Sequence, residues 1–376
     1  MKAKKVLALA LTFVLCLGIL SACGSSSTTT PTQTTTTQTT TTAEPAAPTE
    51  EKFEKVELKM SHHPYVHALP GIYASENGMF DDYFDYSIDI YANGPVQNEA
   101  IASGSWEVGT TGLGGAVLGV IGYNMKILGF TTPDTNTTSI WVRGDSPLAS
   151  ASVDESGVYG TADDWRGLTI LCNRGTVCHM VLIATLEHLG LTEDDVNIID
   201  ASVANCYTAF VSGEGDVVCI WDAMCQKAEA NGWVEVSSAP AVGIELPALL
   251  VCTEEAYKNK PESVKKWLEI YFEATDILLA DADLAAAALY DYQTSEGISV
   301  TEDDCATTIV LRPFYTLEDQ QKFFTPGPNG TSRAYDVLME YAAFMLSQGN
   351  ITQEAYDQMA ASDFALDYVV DLYNNK

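Results

Sequence analysis

Several short loops in this 376-residue chain gather groups suited to gripping a small polar molecule. Asn93-Gly94-Pro95-Val96-Gln97 opens a helical stretch with proline near its first turn, and Gly94 permits close backbone approach. Thr110-Thr111-Gly112 offers hydroxyls and amides at a second opening, and Arg174-Gly175-Thr176 does so at a third. A helix start carries unsatisfied N–H groups and partial positive charge, so converging starts suit an anionic oxygen cluster. One such loop alone is an ordinary tight turn, but three in equivalent places after strands define a candidate site. Arg174 either touches the bound molecule or sits on the surface beside its turn. Asp222 ends the strand-like run Ile220-Trp221, and its carboxylate either receives an amine or ring N–H or caps the following helix. Tyr65, Tyr207 and Trp221 either line a flat ligand or belong to core and rim. His62, His63 and His67 share one loop without a carboxylate at metal-ligand spacing, and Cys178-His179 is a weak metal signal, so no metal or cofactor is expected.

The elements that must position these residues alternate. Val56–Ser61, Ser87–Tyr91, Glu107–Gly109, Lys126–Phe130, Leu168–Cys172, Val196–Asp200 and Val217–Ile220 read as strands separated by amphipathic or alanine-rich helical stretches. That alternation predicts parallel strands with crossover helices, an α/β fold. Val177–Leu189 has apolar residues at helical spacing, with Thr176 to cap its start and Gly190 to end it. Longer connections around 144–164 and after Gly243 suggest passages between two lobes. Ser139–Arg143 is expected to leave the first and Pro247–Thr253 to return. Lobe 1 then comprises 51–142 and 248–376, and lobe 2 comprises 143–247. From Pro261 onward, helices are expected over Glu262–Ala280, Ala282–Tyr292, Leu317–Phe324, Ser332–Gln348 and Gln353–Ala361, packing mainly on lobe 1.

The chain's beginning reads as an address. Lys2, Lys4 and Lys5 precede an apolar run from Val6 to Leu20, the order of a secretory signal over 1–22. Leu20-Ser21-Ala22-Cys23 resembles the bacterial lipobox, which implies lipidation at Cys23 and attachment to a bilayer rather than a span. Residues 23–50, rich in Ser, Thr, Pro and Ala, lack the apolar residues a core needs and are expected to act as a disordered tether. The formal charge of -32 disfavours phosphate backbones, so nucleic acid is not an expected partner. Seven cysteines beyond Cys23 (172, 178, 206, 219, 225, 252 and 305) form an odd set, better suited to buried thiols than to a disulfide framework.

Several phrases, in order, resemble the branch of type II periplasmic binding proteins that serves nitrate, sulfonates, taurine and thiamine-pyrimidine precursors. They are His67-Ala68-Leu69-Pro70-Gly71-Ile72-Tyr73 with Glu76-Asn77-Gly78-Met79-Phe80, then Ser103-Gly104 with Val108-Gly109-Thr110-Thr111-Gly112. Asp164-Trp165-Arg166-Gly167-Leu168-Thr169-Ile170 through Arg174-Gly175-Thr176 follows, then Leu189-Gly190-Leu191-Thr192-Glu193-Asp194-Asp195-Val196. Ser212-Gly213-Glu214-Gly215-Asp216 running into Ile220-Trp221-Asp222 resembles a passage that usually ends Trp-Glu-Pro; here Asp222 replaces the glutamate and no proline follows. Cys178-His179 likewise departs from a small-residue-plus-His pair.

The resemblance implies a two-lobed fold with the ligand in the cleft, His67 directed toward it, and docking on the permease of an ABC importer. The candidate ligand set is His63, Tyr65, His67, Gly94, Gln97, Thr110, Thr111, Gly112, Arg174, Gly175, Thr176, Cys178, His179, Tyr207, Trp221 and Asp222. Helix-end amides with Arg174 favour an anion and Asp222 favours a cation, so a zwitterion such as taurine is the first expectation and a thiamine-type pyrimidine the second. A pyrimidine-synthase-like enzyme shares the fold, but export from the cytoplasm argues against it. An adhesin or sensor module would use the fold without binding a solute. No GxxxxGK[ST] loop for nucleotide hydrolysis is present.

Overall fold

The computed structural model describes residues 55–375, so the expected leader, Cys23 and tether lie outside the described residues. Ten strands form two five-stranded sheets. The first, ordered β2-β1-β3-β10-β4, contains β1 (Val56–His62), β2 (Phe84–Ile90), β3 (Val108–Gly112), β4 (Lys126–Pro133) and β10 (Pro247–Cys252). The second, ordered β7-β6-β8-β5-β9, contains β5 (Thr138–Val142), β6 (Thr169–Cys172), β7 (Asn197–Asp200), β8 (Val217–Trp221) and β9 (Val234–Ser238). Each sheet thus repeats one order, with a single antiparallel strand inserted beside the third parallel one: β10 against β3 and β4, β5 against β8 and β9.

Position within the sheet explains the composition of each strand. β10, Pro-Ala-Leu-Leu-Val-Cys, is buried at every residue because neighbours flank both edges and layers cover both faces. β2 is an edge strand and alternates, with Asp85 and Asp89 outward. Charge on an edge blocks pairing with other chains.

Two expectations change. Ser139–Arg143, read as a run leaving the first half, falls almost wholly in β5, which hydrogen-bonds along its length with β8 and β9, so the passage between sheets runs through residues 134–137. β9 had no counterpart in the sequence reading. The C-terminal helices Pro261–Ala280, Ala282–Ser295, Leu317–Phe324, Arg333–Ser347 and Gln353–Ala360 agree closely with expectation, while Glu302–Leu311 and Tyr368–Asn374 are additional. Helix Glu302–Leu311 packs on helix Ala223–Ala230, which follows β8 of the second sheet. All seven cysteines in the described residues are buried, unbridged thiols. Burial pushes the thiols of Cys178 and Cys219 well up, which keeps them protonated.

Candidate functional site

The carboxyl ends of β1 and β3 in the first sheet and of β6 and β8 in the second open onto one cavity of about 260 Å³. Two helices start at its wall. Leu113–Tyr123 follows β3 directly, and its N-cap is Gly112, which has no side chain to offer. Val177–His188 follows β6, and its N-cap Thr176 makes no capping bond; the hydroxyl instead points back and donates to the Asn173 carbonyl at 2.6 Å. The first-turn amides of both helices therefore have no side-chain acceptor, and Gly112, Leu113, Gly114, Thr176 and Val177 all line the cavity. A third, shorter helix, Gly94–Glu99, is capped by Asn93, whose side chain accepts from the Val96 N–H at 3.2 Å. Gly94 and Gly115 are required by packing: a Cβ on Gly115 would lie 2.6 Å from Thr111 Oγ1 and 2.8 Å from Gly94 Cα. The two glycines thus let the helices they open approach to backbone contact.

The opposite wall is charged. Arg312, only 3% exposed, donates from Nη1 to Asp222 Oδ1 at 3.2 Å, and from Nη2 to Asp134 Oδ1 and to Thr132 Oγ1. Asp134 follows β4 of the first sheet and Asp222 follows β8 of the second, so the guanidinium ties the two sheets together. Asp222 adopts φ 53°, uncommon for a residue with a side chain, while its N–H donates to the Thr137 carbonyl at 2.8 Å. Its carboxylate does not cap the helix it precedes. Burial raises the Asp134 carboxyl to about 6; Arg312 pulls it down and Asp222 pushes it up. Burial, reinforced by Asp222, also pushes up the Tyr65 phenol.

The three loop histidines are all buried, and His63 and His67 line the cavity. Burial pushes His62 down to about 3 and His63 to about 4, and drives His67 well below its ordinary value. All three are neutral at physiological pH. His62 Nδ1 pairs with Thr110 Oγ1 at 3.0 Å, whereas both ring nitrogens of His67 and Nε2 of His63 have no hydrogen-bond partner. Rings of His63, Tyr65 and His67 pack against one another, with centroids 5.5 Å apart for the two histidines. Among the described residues no group of three His, Cys, Asp or Glu is arranged to hold a metal ion.

Of the residues singled out from sequence, His63, Tyr65, His67, Gly94, Gly112, Gly175, Thr176, Trp221 and Asp222 line the cavity. The others do not. Gln97 donates to Ser61 Oγ and the Thr110 carbonyl, and Thr110 and Thr111 are wholly buried within the first sheet. Arg174 turns outward, 41% exposed, into an ion pair with Glu193. His179 is buried beside the same glutamate, bonded to it at 2.9 Å and accepting from the Gly175 N–H. Cys178 belongs to the core, and Tyr207 packs on Trp233 and accepts from Asn231. Asp134, Arg312 and Tyr341 line the cavity without having been anticipated; Tyr341 Oη donates to the Gly175 carbonyl.

Comparison with known proteins agrees with this fold. A family model described as NMT1/THI5 like matches residues 138–285. A protein of Brachyspira hyodysenteriae described as an ABC transporter periplasmic binding protein is 27% identical over 301 residues, covering 79% of this chain and 84% of that one. Among solved structures, the chain is similar to the periplasmic aliphatic sulphonate binding protein SsuA of Escherichia coli. The TM-score is 0.66 at 16% identity, over 81% of this chain and 91% of that one. The alkanesulfonate-binding protein SsuA of Xanthomonas axonopodis pv. citri, bound to MOPS, gives a TM-score of 0.60 at 17% identity, over 80% and 96%. The chain is similar over most of its length to a protein described as an ABC transporter periplasmic binding protein, and it shares the α/β fold of the two sulfonate-binding structures.

Proposed function

We infer that this homologue of ABC transporter periplasmic binding proteins is the extracytoplasmic solute-binding component of an importer. It captures a small anionic or zwitterionic solute and presents it to membrane permease subunits. One observation carries the reading: two helix starts without side-chain caps, one after a strand of each sheet, face the same cavity. An anionic group there meets backbone donors from both halves at once, which is how a two-part molecule couples binding to closure. We take the two sheets as the cores of two lobes joined by the passages at 134–137 and after β9.

Taurine or a related sulfonate is the first candidate, with its anionic end at the helix starts and its amine at Asp222. A thiamine-type pyrimidine is the second, favoured by the flat walls of Tyr65 and Trp221 and by the unpartnered His67 nitrogens. Attachment to the membrane through lipidated Cys23 accords with this role, since the domain then stays near its permease. The relatives are binding proteins, and capture needs no covalent step, so we assign no catalytic role.

Native mass spectrometry of the purified protein, with thermal shift against a solute panel, tests the reading. A retained or stabilising solute of this class is expected, because ligand bound only to the folded state raises apparent stability by mass action. Turnover of the solute, or a panel with no stabilising member and no retained solute, would contradict it.

A further inference from the structure

Asp222 alone does not describe the charged wall of the cavity. One guanidinium, Arg312, is shared between two carboxylates, and Asp134 and Asp222 keep only 26% and 17% of their side-chain surface accessible. Two negative charges against one positive leave the wall net negative at neutral pH, in a place largely withdrawn from water. Uncompensated buried charge is costly, so such a wall is retained where something complements it.

Nothing among the described residues does so. The groups facing Asp134 are Arg312, Asp222, Thr132 and the phenols of Tyr65 and Tyr315, both pushed up and neutral. His67, which faces Arg312, is neutral as well. A second observation points to a ligand site at the same place: His67 is 3% exposed, lines the cavity, and has neither ring nitrogen bonded within the protein.

We propose that Asp134 and Asp222, held on Arg312, form a subsite for a positively charged nitrogen, so that the solute is a zwitterion or a cationic heterocycle and not a simple anion. Asp134 comes from the first sheet and Asp222 from the second, so the nitrogen is held from both sides, as the anionic group is at the helix starts. This assignment rests on the solute-binding reading and narrows it. It excludes plain alkanesulfonates and nitrate as preferred cargo. It also makes capture pH-dependent: as pH falls through about 6, Asp134 takes up a proton and the excess negative charge disappears.

The test is calorimetric titration of the whole protein at pH 7.5 with two matched pairs, taurine against ethanesulfonate and the cationic heterocycle 4-aminopyridine against pyridine. The more basic member of at least one pair is expected to bind at least tenfold tighter. Asp134→Asn is expected to lose about tenfold for that member and little for its counterpart. Should the variant fail to fold, the wild-type affinity for that member measured from pH 7.5 to 5 carries the same information and is expected to weaken below pH 6. Equal affinity within both pairs, or an affinity for that member independent of pH, overturns the subsite and leaves solute binding standing. A retained solute without a basic nitrogen overturns it too, and no binding by any probe with no retained solute overturns both readings.

Discussion

At the scale of single residues, the charged wall dominates, and most of it was hidden in the sequence. Asp222 was legible because it ends a strand-like run, whereas Arg312 lies 178 residues from Asp134 and 90 from Asp222 in the chain. No local pattern marks such a meeting. Arg174 takes the surface alternative: it sits beside the right turn, but Glu193 pairs with it on the outside. Replacing Arg312 with Met would leave two carboxylates facing each other, and removing one partner of a buried charge pair typically costs about 3–5 kcal/mol. Urea unfolding at pH 7.5 should register that loss, and the loss should shrink at pH 5, where Asp134 is protonated. The histidines impose the opposite trend on the wild type. His62 and His63 titrate near 3 and 4 in the folded protein, below the unfolded value of 6.5, so the unfolded chain binds their protons first. Their contribution is complete above pH 6.5 and is lost as pH falls toward 4, at about 1 kcal/mol per histidine per pH unit. Asp134, raised to about 6, offsets one of them. Calorimetric Tm should therefore fall between pH 7 and 4.5, and His63→Gln should flatten the slope.

At the scale of elements, seven strands and five C-terminal helices could be read because hydrophobic period and breakers agreed. β9 escaped because Val-Glu-Val-Ser-Ser buries little beyond Val236 and Ser237, even though Asn231-Gly232 marks a turn just before it. Helix Glu302–Leu311 escaped because it buries only Cys305 and Thr308, although the Thr301–Asp304 capping box marks its start. That omission removed the element that delivers Arg312. The role of Thr176 also changed: its side chain satisfies Asn173 and leaves the helix start open, which spacing alone does not reveal. Contact between the helix starts is the element most sensitive to substitution. Gly115→Ala places a methyl 2.6 Å from Thr111 Oγ1 and 2.8 Å from the Gly94 backbone, so one helix must shift. Overpacking of this kind costs about 1–3 kcal/mol, and a lowered Tm with weakened solute binding is the expected pair of readouts. The structurally open Gly122 provides the control, since a Cβ there meets nothing within 4 Å, and Gly122→Ala should bind normally.

At the scale of the whole molecule, the repeated strand order sets the site: each sheet sends the carboxyl ends of two neighbouring parallel strands, β1 and β3 or β6 and β8, toward the same cavity. The fold class was legible from alternation and motif order, because a parallel sheet with crossover helices leaves few arrangements. The exact passages between halves were not, since a crossing strand and a sheet strand have the same apolar composition, as β5 and β10 demonstrate. Backbone donors from two halves converging on one solute is the claim on which the functional account depends. Amide NMR of the whole protein during titration with taurine tests it most directly. The account predicts that the N–H signals of Leu113 and Gly114 and those of Val177 and Cys178 shift together along one saturation curve. Shifts confined to one helix start, or saturable binding that moves neither, would contradict it.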